Sequence, residues 1–305
     1  MRGVKLLVLC GVLLGGCNGR PIPDSSPTGR QQVAESVADV VETKRPGPRG
    51  QLREEQLAAG WIQLFDGESL FGWTANSDAN WRVDDGVLQA DTGTAGLLLT
   101  SVAFVDYELK CDFRLSRGGN SGVFLRTTGT PADPSRDCYE LNIAGADNPF
   151  PTGSLVGRKK VEGDHNTTDW QSYEVTVDGD RISVTLDGQQ ILEYTDPQPI
   201  ARGLIGLQHN KGKIEFRDVR IRPLGLQNIF TGKDLSGWKV REGMKSEFTV
   251  TSEGYLNVKD GRGQIETEGE YGNFLLQLEC IANGRQLNSG VFFRCIPGDV
   301  MMGYE

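Results

Sequence analysis

From Trp61 onward the chain alternates apolar and polar residues in short runs. Tyr107, Leu109, Cys111, Phe113 and Leu115 occupy one parity, and Glu108, Lys110, Asp112 and Arg114 the other. That period of two predicts a half-buried strand. Tyr173, Val175 and Val177 repeat the pattern, Ile182, Val184 and Leu186 follow Asp178-Gly179, and Ile191 to Tyr194 follow Asp187-Gly188. Asp-Gly pairs favour two-residue type I′ turns, in which both central residues have positive φ. Residues 171–195 therefore read as a three-stranded meander. Asp85-Gly86 predicts a further hairpin. Arg217-Asp218 predicts a bulge within the alternation of Ile214, Phe216, Val219 and Ile221. Many short strands and no long helix predict an all-β, antiparallel β-sandwich of the jelly-roll kind. Its expected core is Leu109, Phe113, Val123, Leu125, Leu141, Val175, Ile182, Val184, Leu207 and Phe216.

The pattern then starts again. Leu64-Phe65-Asp66-Gly67, with Leu70, Gly72 and Trp73, returns as Ile229-Phe230-Thr231-Gly232 with Leu235, Gly237 and Trp238. Asn120-Ser121-Gly122-Val123-Phe124-Leu125-Arg126 returns as Asn288-Ser289-Gly290-Val291-Phe292-Phe293-Arg294, and Tyr139-Glu140 as Tyr304-Glu305. So long a period marks two domains and not a solenoid. Residues 57–223 are expected to be a complete sandwich and 224–305 an incomplete, truncated second copy. Such a copy would leave strand edges and apolar faces uncovered.

The front end changes the picture of compartment. Arg2 and Lys5 form a short positive region, and Val4 to Leu14 is a mostly apolar run, too short to span a bilayer as a helix. The run closes on Leu14-Gly15-Gly16-Cys17, which resembles a bacterial lipobox. Residues 1–16 are thus expected to be a lipoprotein signal peptide, and Cys17 the lipidated residue that ties the protein to a membrane. Asn18 after the cysteine points to outer-membrane sorting, with the protein facing the periplasm or the cell surface. Residues 17–56, with Pro21, Pro23, Pro27, Pro46 and Pro48, read as a flexible linker.

A net charge of −9 argues against a nucleic-acid partner. Cys111, Cys138, Cys280 and Cys295 match no metal-site spacing; an oxidising compartment permits disulfides, but unpaired buried thiols are the expectation.

Strand parity also gathers candidate chemistry. With Val123 and Leu125 in the core, Phe124 and Arg126 share the other face. With Leu141 and Ile143 in the core, Glu140 and Asn142 point away from it. Ile205 and Leu207 leave Gln208 on that same side, beside Gly206, with His209 near the strand end. Arg126, Glu140, Asn142 and Gln208 would then line one concave surface. An Arg–Glu pair across strands is equally an ordinary surface contact.

The order Leu-Phe-Asp-Gly…Gly-Trp (64–73), Trp-Arg-Val-Asp-Asp-Gly-Val-Leu (81–88), Asn-Ser-Gly-Val-Phe-Leu-Arg (120–126), Tyr-Glu (139–140) and Gly-Leu-Gln-His (206–209) resembles the 3-keto-disaccharide hydrolase domain family. The resemblance covers about 61–223. Two segments depart from the family pattern: Glu140-Leu141-Asn142, where Glu-Val-Gln is more usual, and Asn210-Lys211-Gly212 after the Gln-His pair. It implies a concanavalin-like, laminarinase-like jelly roll that cleaves glycosides already oxidised at C3. A C3 ketone acidifies the C2 proton, and the C1–O bond is β to the carbanion. On this reading Glu140 is the base, Arg126 stabilises the enolate and His209 with Gln208 serves the leaving group, while Asn142 and Phe124 help bind a 3-keto-sugar. No cofactor is required by the sequence, although a divalent metal in place of Arg126 stays open. The alternatives are a non-catalytic, lectin-like carbohydrate-binding module, with Phe124, Trp81 and Trp170 stacking on sugar rings, and a surface interaction protein.

Overall fold

The computed structural model describes residues 3–10, 51–282 and 287–305. The chain divides into two compact units, the first containing 46–226 and the second 227–305 with part of the N-terminal segment.

In the first unit, a short helix α1 (Glu54–Ala58) precedes β1 (Ile62–Gln63), β2 (Trp73–Ala75), β3 (Arg82–Asp84), β4 (Val87–Ala90) and β5 (Gly96–Thr100). The long strands β6 (Tyr107–Leu115) and β7 (Asn120–Thr127) follow, then α2 (Pro134–Asp137) and β8 (Tyr139–Ala144). The meander is β9 (Gln171–Asp178), β10 (Arg181–Leu186) and β11 (Gln189–Thr195), and β12 (Leu204–His209) and β13 (Ile214–Pro223) close the unit. One sheet runs β11-β10-β9-β6-β13-β4-β3, with β1 against β13, and the other runs β2-β5-β12-β7-β8. Every described pairing within them is antiparallel. The unit is an antiparallel β-sandwich, as the alternation predicts.

The expected core is buried throughout, with Leu125, Leu141, Val184, Leu207 and Phe216 all at 0 % exposure. On β6 the alternation of buried and half-buried residues is complete along the strand. Asp85-Gly86 and Asp187-Gly188 both have positive φ at each residue and close two-residue loops, as type I′ turns require. The third pair differs. Asp178 pairs with Arg181, so it ends its strand and the turn is made by Gly179 and Asp180. Asp218 has φ +49°, and the register of β13 against β6 shifts between Arg217 and Arg220, which is the predicted bulge.

In the second unit, Phe230 and Leu256 centre a smaller apolar cluster with Ile229, Leu235, Trp238, Phe248 and Leu276. The repeated motif rebuilds the same local hook. Trp73 Nε1 donates to Leu64 O at 2.7 Å, and Trp238 Nε1 to Ile229 O at 2.8 Å. Tyr139 is 1 % exposed, whereas Tyr304, its counterpart in the repeat, is 65 % exposed. The backbone of Gly3–Cys10 forms a strand parallel to Gln227–Asn228 and Leu256–Lys259. These are residues that the sequence assigns to the signal peptide. Cys17 and most of the linker lie outside the described residues. No helix among the described residues is long and apolar enough to cross a membrane.

Candidate functional site

The site is built on the outer face of the β2-β5-β12-β7-β8 sheet. Across β7 and β8, Phe124 faces Glu140 and Gly122 faces Asn142; across β7 and β12, Phe124 faces Gly206. Gln208 pairs with Leu97 on β5. Glu140, Asn142, Gln208 and Phe124 therefore share a face, as parity predicts. That face is not open. Leu97, Leu99, Phe124 and Cys138 form a buried cluster on it with Leu204 packed alongside, so Phe124, 4 % exposed, is a wall and not a stacking platform.

Two loops frame the cluster. The loop 128–138 crosses one side, where Asn76 Nδ2 donates to Gly129 O at 2.9 Å and Cys138 Sγ lies 4.0 Å from Pro134 O. On the other side Leu155 bridges to Leu141, and Val156 N donates to Glu140 O at 3.0 Å, so 154–156 borders β8. Asn142 Nδ2 donates to Phe150 O and, at 3.5 Å, to Asn148 Oδ1, so its amide fastens the second loop.

Glu140 is 9 % exposed and accepts a hydrogen bond from Gln208 Nε2 at 3.4 Å. Desolvation by burial pushes its carboxyl up to about 7, against the opposing effect of that hydrogen bond. Burial, with Glu140 nearby, likewise pushes the Cys138 thiol up to about 12, so Cys138 is an apolar neighbour and not a nucleophile. Gln208 Oε1 is buried and has no hydrogen-bond partner among the described residues. A carboxyl half-ionised near neutrality, an amide donor beside it and a free acceptor together suit proton transfer at a hydroxylated ligand.

Two of the predicted residues are elsewhere. Arg126 has φ +47°, and the register between β7 and β12 passes from Phe124–Gly206 to Thr127–Leu204, so Leu125 and Arg126 together oppose Ile205. This bulge reverses the parity beyond it. The Arg126 side chain, 1 % exposed, runs to the seam of the sandwich. There Nε donates to Val105 O at 2.6 Å, Nη1 to Gly179 O at 2.8 Å and Ile200 O at 2.6 Å, and Nη2 to Asp106 Oδ1 at 2.7 Å. All its donating nitrogens are engaged, and it is a structural clasp, not an enolate stabiliser. Gly203 makes the bulge possible, since a Cβ there would lie 2.1 Å from the Arg126 carbonyl carbon.

His209 shares the parity of Ile205 and Leu207 and is 3 % exposed. It therefore lies on the core side of its strand, and neither ring nitrogen has a partner among the described residues. It does not stand at the rim of the site beside Glu140. The proposed aromatic platforms also fall away. Trp81 is 9 % exposed and packs 6.3 Å from Phe216 in the core, while Trp170 lies under Arg114 and Arg217 of the opposite sheet.

Sequence reasoning missed Leu97, Leu99, Cys138 and Gly122. The parity of Cys138 with Glu140 and the lone glycine inside a strand pattern were signals that could have found two of them. It also missed the anchor behind the site. Tyr139 OH donates to Asp196 Oδ2 at 2.7 Å, and Arg158 Nη1 donates to the same oxygen at 2.6 Å. Among the described residues no three His, Cys, Asp or Glu side chains come together to hold a metal. The oxygen donors facing the site are the Glu140 carboxyl and the Gln208 amide oxygen, fewer than the roughly six to eight that a calcium ion takes.

All four cysteines of 111–295 are unpaired; Cys111 and Cys138 are buried, as expected, while Cys280 and Cys295 are exposed.

The model of the 3-keto-alpha-glucoside-1,2-lyase-like domain matches residues 60–222 and again 225–305. A curated 3-keto-disaccharide hydrolase from Bacteroides thetaiotaomicron is 32 % identical over 79 residues, covering 22 % of this chain and 27 % of that protein. The match thus spans about a quarter of that relative. A crystal structure from Parabacteroides distasonis, assigned provisionally as a glycosyl hydrolase, is 20 % identical with a TM-score of 0.49, covering 58 % of this chain and 99 % of that one. A carbohydrate-binding module from Bacillus subtilis is 17 % identical with a TM-score of 0.40, covering 49 % of this chain and 94 % of that one.

Proposed function

The chain belongs to the 3-keto-alpha-glucoside-1,2-lyase-like domain family, and from that premise we propose that its first sandwich cleaves 3-keto-glycosides with Glu140 as the proton-transferring group. The observation that carries this reading is the state of Glu140: buried, bonded to one amide, and poised to change charge near pH 7. A general base works best when its ionisation lies near the working pH.

The Glu140 carboxylate takes the proton from C2, and the C2–H electron pair becomes the enolate of the C3 ketone. Gln208 Nε2, beside the carboxylate, supplies a hydrogen bond where negative charge grows. The enolate then re-forms the ketone and expels the glycosidic oxygen from C1, leaving a C1–C2 double bond. With His209 on the core side, the proton for the departing oxygen comes back from Glu140, so both transfers occur on one face of the sugar. Water then adds at C1 of the enone and completes a net hydrolysis. A conventional glycosidase would need two carboxyl groups about 5–10 Å apart across the bond; Glu140 as a single proton carrier matches the elimination instead.

The test is the purified protein incubated in parallel with a 3-keto-disaccharide and its unoxidised parent. Consumption of the oxidised sugar alone supports the reading. Binding of either sugar without turnover supports the lectin-like alternative. Cleavage of the unoxidised sugar overturns the elimination chemistry.

A further inference from the structure

Gly122 lies inside strand β7, two residues before Phe124 and opposite Asn142. It does not have the positive φ that elsewhere in the chain calls for glycine, so its backbone would accept alanine. The reason for glycine is spatial. A Cβ at this position would meet Leu141 O at 3.1 Å, Glu140 Cγ at 3.5 Å and Gln208 Oε1 at 3.6 Å. The bare Cα is thus the floor of the gap across which Gln208 reaches Glu140.

The second unit supplies an independent instance. Gly290 and Glu305 occupy the places of Gly122 and Glu140 in the repeated motif. A Cβ at Gly290 would lie 2.3 Å from Glu305 Oε1 and 2.9 Å from its Cγ. In both units the glutamate side chain lies over the glycine.

We propose that Gly122 is a positioning residue: its missing side chain lets the Glu140 carboxyl and the Gln208 carboxamide lie side by side on the sheet, and keeps Gln208 Oε1 open to a substrate hydroxyl. That amide oxygen is buried and without a partner among the described residues, and an acceptor in that state gains from a ligand hydroxyl. A methyl group at 122 presses on the Leu141 carbonyl oxygen, 3.1 Å away, so strand β8 must give by a few tenths of an ångström. That displacement loosens the Glu140–Gln208 hydrogen bond, and the methyl adds hydrocarbon in ordinary contact with both side chains. Both effects disfavour the charged form. The proposal rests on the reading of Glu140 as the base for its catalytic meaning, but not for its geometry.

The experiment follows the titration of the Glu140 carboxyl by carbon-13 NMR in the full chain, with Glu140→Gln identifying the resonance. In Gly122→Ala the midpoint moves upward, the thermal midpoint changes little, and kcat for a 3-keto-disaccharide falls by about 10- to 100-fold. Gln208→Ala probes the same contact without altering the backbone and also moves the midpoint upward. The double variant shifts by less than the sum of the two, because the hydrogen bond can be lost only once, and its excess over Gln208→Ala is the effect of the added hydrocarbon. A Glu140 midpoint unmoved in either single variant overturns the proposal. So does a shift in the double variant equal to the sum of the two. Full activity in Glu140→Gln would remove the base reading and leave the titration to judge Gly122 alone.

Discussion

Gln208 Nε2 reaches Glu140 Oε1 at 3.4 Å across strand β7, over a residue that has no side chain. The hydrogen bond favours the ionised carboxyl, burial disfavours it, and burial prevails. The activity of the site is therefore tied to pH. Turnover of a 3-keto-disaccharide should rise as pH increases through about 7 and then level off, because one group carries the proton in both directions. Glu140→Gln should lose about 10²- to 10⁴-fold in kcat with the fold intact, as measured by kinetics and circular dichroism. A rate independent of pH between 5.5 and 8.5, a window of about 1.5 units on either side, would contradict it.

The same burial has a cost in stability with a definite sign. The folded-state value of Glu140 is raised above its unfolded value, so its contribution is most favourable below the unfolded value. It is lost as pH rises through about 7. Glu140→Gln removes the ionisable group. It should raise the thermal midpoint at pH 8 relative to the parent protein, by an amount equivalent to about 3 kcal/mol, with a much smaller effect at pH 4. Calorimetry at the two pH values checks this.

Arg126 should behave as a structural residue. Arg126→Ala strands three carbonyl acceptors and one carboxylate at the seam and should destabilise the first unit by about 3–5 kcal/mol. Asp106→Asn should cost less, about 1–2 kcal/mol, because asparagine keeps an oxygen acceptor for Arg126 Nη2 and only the charge is lost. Denaturant melts of both variants distinguish this from a catalytic role, in which Asp106→Asn would leave stability alone and lower kcat.

His209→Leu exchanges a buried ring without hydrogen-bond partners for a hydrocarbon on the core side of β12. It should leave kcat/KM within about threefold and should not lower the melting temperature. A loss of about 100-fold with an unchanged fold would return His209 to the reaction.

At the other end of the chain, Cys17→Ser should move the protein from the membrane fraction to the soluble one. Fractionation followed by immunoblotting reads this directly, and a variant still in the membrane fraction would refute the lipobox assignment.

The sandwich was legible because its strands are half-buried, so each writes its two faces into alternating residues. β6 shows this along its whole length. The same argument puts Glu140, Gln208 and Asn142 on one face, as the register has them, but expects that face to be open, whereas Glu140 and Asn142 are buried on it. Arg126 was misplaced, because parity counting assumes an unbroken strand and no residue near 126 announces a bulge. The signal lay in the partner: Gly203, on another segment, admits the displaced backbone. His209 was misplaced for a simpler reason. Its polarity suggested a strand end in solvent, while its parity with Leu207 already put it inside. The covering of the site face was not legible either. Leu97-Leu98-Leu99 is a continuous apolar run, so it does not reveal that its two faces serve different neighbours.

The bulge at Arg126 makes strand β7 a crankshaft. Its first half turns Gly122 and Phe124 toward the site, and its throw turns Arg126 toward the seam. Arg294 has φ +53° and repeats the offset in the second unit. Because the two halves face opposite ways, a substitution at the seam leaves the residues over Gly122 in place, and in the second unit Glu305 likewise overlies Gly290. One strand thereby serves chemistry with one half and scaffold with the other.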